Sequence, residues 1–136
     1  LAVYPYEKEE IVAICKPDHP LMQKGDILDI AQLADYPLAV PFDCLDLVRS
    51  SFGHRLLAPN ISIITSSNAT AIEWARSFGT IALASLTTAD FQHIKDLAVK
   101  HFSDDNLFIT SAFIVNKEYP LSRAARNFLG FHGVEI

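Results

Sequence analysis

Cysteine is scarce in this sequence: Cys15 and Cys44 are the only two, and each stands alone. A disulfide scaffold needs several cysteines in a secretory context, so two buried, reduced thiols are expected instead. Basic residues are few as well, 11 Lys and Arg against 16 Asp and Glu, for a net charge of -5. Those 11 are scattered, whereas a chain that grips nucleic acid by itself clusters Lys and Arg against the phosphates. Long apolar runs are missing too. No segment reaches the roughly 18 consecutive apolar residues that a membrane helix needs. No signal peptide is visible, so a cytoplasmic protein is expected, although a chain that starts at Leu1 has room for a lost N-terminus. The sequons Asn60-Ile61-Ser62 and Asn68-Ala69-Thr70 count for nothing without a secretory context.

What the chain has is apolar substance. Half its residues are hydrophobic, and 136 residues is one domain's worth on a scale of roughly 100–200 per domain. Glu10 to Cys15 reads as a strand because branched apolar residues dominate it. Pro17, Pro20 and Gly25 then mark a loop, Asp29 is placed to cap a short helix, and Tyr36 to Val40 reads as a second, buried strand. Between Asp43 and Leu57 the residues Leu45, Val48, Phe52 and Leu56 recur at helical steps. Ile61 to Thr65 is a third strand. Asn68 is a good N-cap for the next helix, which Ala71, Trp74, Ala75 and Phe78 line and Gly79 ends. Thr80 to Ser85 is a fourth strand, Thr87 to Leu97 suits a shorter helix, Leu107 to Val115 a long strand, and Ser122 caps a closing helix with Ala125, Phe128 and Leu129 facing inward. Alternating strands and helices predict an α/β domain with mainly parallel pairing.

Catalytic patterns are missing. There is no Gly-rich phosphate loop, G-x-S-x-G elbow, H-E-x-x-H or C-x-x-C, so no enzyme and no cofactor is expected. The five histidines are scattered and no metal site is expected. His19 sits in a turn, where a structural role is expected, and His54 ends a helix, where solvation is. Glu9-Glu10 and Asp104-Asp105 read as solvated charge, because neighbours on an extended chain point to opposite faces. A binding site has better support. In open α/β sheets, ligands sit beyond the carboxyl ends of strands, near helix N-termini. Pro41, Phe42 and Asp43 mark one such place; Thr65, Ser66, Ser67 and Asn68 mark another, where free N–H groups favour an anion. The plainer alternative is that Asn68 only caps its helix while Ser66 and Ser67 face water.

Two blocks carry a resemblance. Asp18-His19-Pro20-Leu21, Gln32-Leu33-Ala34-Asp35 and Pro37-Leu38 follow the first strand in an order that resembles the effector-binding domain of LysR-type transcriptional regulators. Ala58 to Ile61 and the tail Leu121-Ser122, Ala124-Ala125, Phe128-Leu129 fit the same pattern, so the resemblance runs from about Tyr6 to Phe131. The chain departs from it at Ser77-Phe78-Gly79-Thr80-Ile81, where the family usually has Gly-x-Gly-Ile, and at Ser85, where Pro is common.

The resemblance implies a two-lobed α/β domain like type II periplasmic binding proteins, here one complete lobe plus part of the other. Residues 16–106 would be the second lobe, and residues 1–15 and 107–136 the crossover strands and the first lobe's closing helix. It implies a small-molecule effector, anionic or amino-acid-like, held by Pro41, Phe42 and Asp43 on one wall and by Ser66, Ser67, Asn68 and Thr70 on the other. Asp43 would repel an anion, so it is expected either to cap the next helix or to meet an amine. Self-association is implied as well, as a homodimer or swapped assembly, with Ile109, Phe113, Val115, Phe128, Leu129 and Phe131 exposed by the absent half. DNA would be read only by a domain outside this chain, and no membrane is involved. The rival reading from another class is a solute-binding protein of a transport system.

Overall fold

Ile11, Val12, Ala13, Ile14 and Cys15 are all fully buried, which requires cover on both faces of the strand they form. The structure, a computed structural model, describes residues 2–86, 93–104 and 106–115, with side chains for 9–86, 93–104 and 106–109. That strand is β1 (Ala2–Cys15). It is followed by β2 (Ile27–Leu28), β3 (Leu38–Pro41), α1 (Leu45–Gly53), β4 (Ile61–Thr65), α2 (Asn68–Phe78), β5 (Ile81–Leu86), β6 (Ala98–Phe102) and β7 (Phe108–Val115). The sheet runs β2-β6-β1-β5-β3-β4, and β7 pairs with β1. It is mixed: β3 is parallel to β4 and β5, while β1 is antiparallel to β5 and β6. The chain divides into two compact units, Glu10–Ile109, and Leu1–Glu9 with Thr110–Ile136, so it passes between them within β1 and β7.

Side-chain alternation distributes the core of the Glu10–Ile109 unit over two faces. Ile11, Ala13 and Cys15 join Leu38, Val40 and Leu83 under Val48 and Phe52 of α1. Val12 and Ile14 join Ala39, Ala82 and Ala84 under Ala71, Ile72 and Ala75 of α2. Burying a side chain of the Ile, Leu or Phe class stabilises by about 1.5–3 kcal/mol each. Cys15 and Cys44 are both buried, as expected, and are not joined by a disulfide. Burial raises the Cys15 pKa, against the opposing pull of Lys100.

Several expectations change at element ends. Helix α1 stops at Gly53 rather than Leu57. Its exit is closed by Leu56 N–H on the Gly53 carbonyl and Leu57 N–H on the Phe52 carbonyl. That closure needs a left-handed residue, and Leu56 supplies it at φ 57°, so its side chain is 95% exposed instead of lying on the apolar face. Ser67, not Asn68, caps α2. Phe78 is 66% exposed and stacks on Trp74, with ring centroids 4.4 Å apart. Asp104 is no solvated charge, since Arg55 and Ser51 both bind it, and Glu10 pairs with His101 at 2.9 Å. Ile109 is half-buried against the core rather than exposed. Of the helix expected within 87–97, the described part, 93–97, holds a 3-10 position at His93 followed by a turn, and the rest lies outside the described residues. So do the closing helix and Phe128, Leu129 and Phe131, and so do the side chains of Phe113 and Val115.

Short turns are built as their residues dictate. His19 Nδ1 accepts the Leu21 N–H at 3.0 Å and its ring meets Tyr36 edge-on at 5.2 Å, the structural role expected of it. Asp29 accepts the Ala31 N–H while its own N–H reaches Gln32 Oε1, a capping box around the 3-10 turn Ile30–Leu33. Lys100 is buried on β6, its Nζ donating to the carbonyls of Lys24 at 2.8 Å and Gly25 at 3.0 Å.

Gly79 ends α2 at φ 67°, with open space where a Cβ would go. Next to it, Thr80 Oγ1 is buried without a hydrogen-bond partner among the described residues. Neighbouring substitutions should therefore act in opposite directions in denaturant unfolding. Gly79→Ala is expected to lose about 1 kcal/mol to left-handed strain, and Thr80→Val to gain about 1 kcal/mol by removing an unsatisfied hydroxyl.

Burial holds the His19 pKa below its ordinary 6.5, against the pull of Asp18. An unfolded chain then takes up the proton first, so stability is expected to fall as pH drops below 6.5. His19→Asn, which keeps an acceptor and loses the titration, should flatten that decline in a pH series of thermal melts.

Candidate functional site

The parallel strands β3, β4 and β5 end on one edge of the sheet, and Pro41 of β3 is the register partner of Thr65 of β4. Two of the predicted clusters are therefore brought side by side. Pro41 is buried and closes β3; Phe42 and Asp43 follow on a 3-10 turn, Phe42–Cys44, that continues into α1. Phe42 is 68% exposed, an unusual setting for a phenyl ring at a strand end. Asp43 is exposed and no side-chain capping bond is made at this turn, so it does not act as the cap. Its carboxylate and that of Asp46 sit in the first turns of the 3-10 segment and of α1, where the helix dipole favours them.

The second cluster is sorted by its own hydrogen bonds. Ser67 Oγ accepts the Thr70 N–H at 3.2 Å and lies 3.0 Å from Thr70 Oγ1. Thr65 Oγ1 donates to the Ser67 carbonyl at 2.8 Å. Asn68 Nδ2 donates to the Ser85 carbonyl at 2.7 Å, tying the start of α2 to the end of β5. Ser67, Asn68 and Thr70 are thus committed to building the turn. Ser66 is exposed, and among the described residues its hydroxyl has no partner. The free polar groups here are that hydroxyl and the N–H groups of Asn68 and Ala69 at the start of α2, which lack a carbonyl one turn back.

The sequence places Thr65 in this cluster and marks Ser85 as a departure from the family pattern, but it assigns neither a supporting role. Both are buried polar residues that order the cluster from beneath, and their strand positions make them look like ordinary sheet residues. The departure at Ser85 leaves β5 intact through Leu86. A cavity of about 540 Å³ lies alongside, between the Ser67, Asn68, Ile72 and Arg76 side of α2 and Leu86, His93 and Ile94. No group of His, Cys, Asp and Glu able to hold a metal is found among the described residues. Nor, among them, is any helix long and apolar enough to cross a membrane.

The division of labour is measurable. Ser67→Ala should cost about 1 kcal/mol in stability as a lost N-cap, whereas Ser66→Ala should leave unfolding unchanged.

Comparison with known proteins places this geometry. The chain matches solved effector-binding and regulatory domains along nearly its full length. The effector-binding domain of QuiR in complex with shikimate aligns at TM-score 0.74 and 22% identity, covering 96% of this chain and 63% of that one. The cofactor-binding domain of the Cbl transcriptional regulator aligns at 0.76 and 16%, covering 94% and 57%. The regulatory domain of MetR, a LysR family regulator from N. meningitidis, aligns at 0.74 and 20%, covering 96% and 62%. The chain thus spans about three fifths of the length of these three structures. Among curated protein sequences none matches. The family model of the LysR substrate binding domain matches residues 1–132. With a type II periplasmic-binding-protein-like α/β fold and that match, the chain belongs to the LysR substrate-binding domain family, the effector-sensing regulatory domain of LysR-type transcriptional regulators.

Proposed function

We propose that this chain senses a small amino-acid-like metabolite for a cytoplasmic DNA-binding regulator. In this reading residues 16–106 are the second lobe of the effector domain, and residues 1–15 and 107–136 supply its crossover strands and the first lobe's closing helix. The observation that carries the proposal is the pairing of Pro41 with Thr65, which sets two unlike polar surfaces next to each other. One offers the Ser66 hydroxyl and the N–H groups of Asn68 and Ala69 at the start of α2, suited to a carboxylate. The other offers the Phe42 ring and the exposed Asp43 carboxylate, suited to an ammonium group and its carbon chain. Ser67, Asn68 and Thr70 act from behind, by holding the turn. A metabolite bound there biases the arrangement of attached DNA-binding domains, a shift of population without bond chemistry. DNA is contacted through a domain outside this chain.

Self-association is the second part of the proposal. Phe78, largely exposed, and the Trp74 ring stacked on it form an apolar patch on α2, and patches of this kind mark association surfaces.

A thermal-shift screen of the full-length protein against amino acids and simple carboxylic acids tests the site, because only a ligand of the folded state raises its stability. Amino acids are expected to raise the melting temperature. Ser66→Ala and Asp43→Asn should each abolish that rise while leaving the unliganded melt in place. Equal shifts in the wild type and both variants would remove these residues from the site.

A further inference from the structure

The wall that carries Phe42 and Asp43 is only a three-residue 3-10 turn, and it runs into α1 without a break: the Leu45 N–H closes it on the Phe42 carbonyl. Where α1 lies therefore decides where the wall lies. The helix buries Leu45, Val48 and Phe52, and that packing seats it on the sheet while polar contacts add fixed directions and distances. Directional contacts are found at the far end. Arg55, just past the helix, spreads its guanidinium over two carboxylates from different parts of the fold. Nε and Nη2 reach Asp29 at 3.1 to 3.3 Å, and Nη2 reaches Asp104 Oδ1 at 3.0 Å. The other oxygen of Asp104 accepts the Ser51 hydroxyl from within α1. Asp104 is the sheltered member, its side chain 11% exposed, and it lines a polar recess of about 370 Å³ with Ser50, Ser51, His54 and Arg55.

Charge bookkeeping explains why the arginine is needed. Two carboxylates beside the carboxyl end of a helix face its partial negative charge and repel it. Arg55 is the cation between them. Its loss leaves Asp29 and Asp104 both facing the end of α1, with the Ser51 bond as the remaining direct link. The pair with Asp29 is solvent-exposed and contributes little to global stability. What the fork fixes is direction and distance.

We propose that Arg55 is a positioning residue of the effector site: by fastening the carboxyl end of α1 to Asp29 and Asp104, it sets the placement of the Phe42–Asp43 wall at the opposite end. The functional weight of that wall rests on the amino-acid-binding reading above; the mechanical link does not.

Hydrogen exchange followed by mass spectrometry on the full-length protein, with no effector added, tests the link directly. In Arg55→Ala the amides of residues 42–45 are expected to exchange about tenfold faster, as a locally loosened segment does, while those of β3 and β5 stay at their wild-type rates. Arg55→Lys should fall between, because an ammonium restores charge without the fork. Asp104→Asn, which keeps an acceptor for Ser51, should shift residues 42–45 in the same direction by less. Faster exchange confined to residues 52–57 and 102–107 would overturn the proposal, since the network would then be only a local tie. A uniform rise over the whole chain would overturn it as well. Because no effector is present, a failure of the thermal-shift screen leaves this result standing, and the reverse also holds.

Discussion

Everything in the Glu10–Ile109 unit depends on β1 being apolar on both sides. A strand with five consecutive residues out of water needs a helix on each face, and α1 and α2 meet that need with different materials. The α1 face is filled by large side chains such as Phe52 and Leu33. The α2 face is filled largely by alanines, from the helix and from β3 and β5 alike. Small residues on both surfaces let α2 lie close to the sheet, and that closeness brings the Asn68 amide within 2.7 Å of the Ser85 carbonyl. Core composition thus reaches the candidate site through one hydrogen bond from a side-chain amide to a backbone carbonyl.

The site follows from direction as much as from residue type. Because β3, β4 and β5 share a direction, their carboxyl ends and the turns that follow crowd one edge. Had β4 run the other way, the Ser66 cluster and Phe42 would lie at opposite ends of the sheet. The antiparallel β1 adds the core without adding a turn to that edge.

Much of this was legible beforehand, and the failures have physical causes. The strands at Ile11 to Cys15, Leu38 to Pro41 and Ile61 to Thr65 stand out because branched apolar residues bounded by Pro and Asn have few other solutions. Strand β6 was missed because Lys100 and His101 break its apolar pattern. A lysine usually marks solvent, and the carbonyls of Lys24 and Gly25, with Asp26 3.8 Å away, all remote in sequence, hold this one inside. The cap of α2 was placed one residue late because Ser67 and Asn68 are equally good caps in isolation. The choice was made by Ser85, which draws the Asn68 side chain away. The Arg55 network joins residues 26 and 49 positions apart, a separation that no local pattern reports.

The hydrogen bonds among Thr65, Ser67 and Thr70, with Asn68 fastened to Ser85, have a thermodynamic consequence. Fixing a polar side chain costs conformational entropy, and here folding has already met that cost before any ligand arrives. Association at this edge therefore spends little free energy on ordering the protein. In the proposed site, a compact molecule then needs few contacts, and selectivity falls to its shape and to the charge it presents to Asp43.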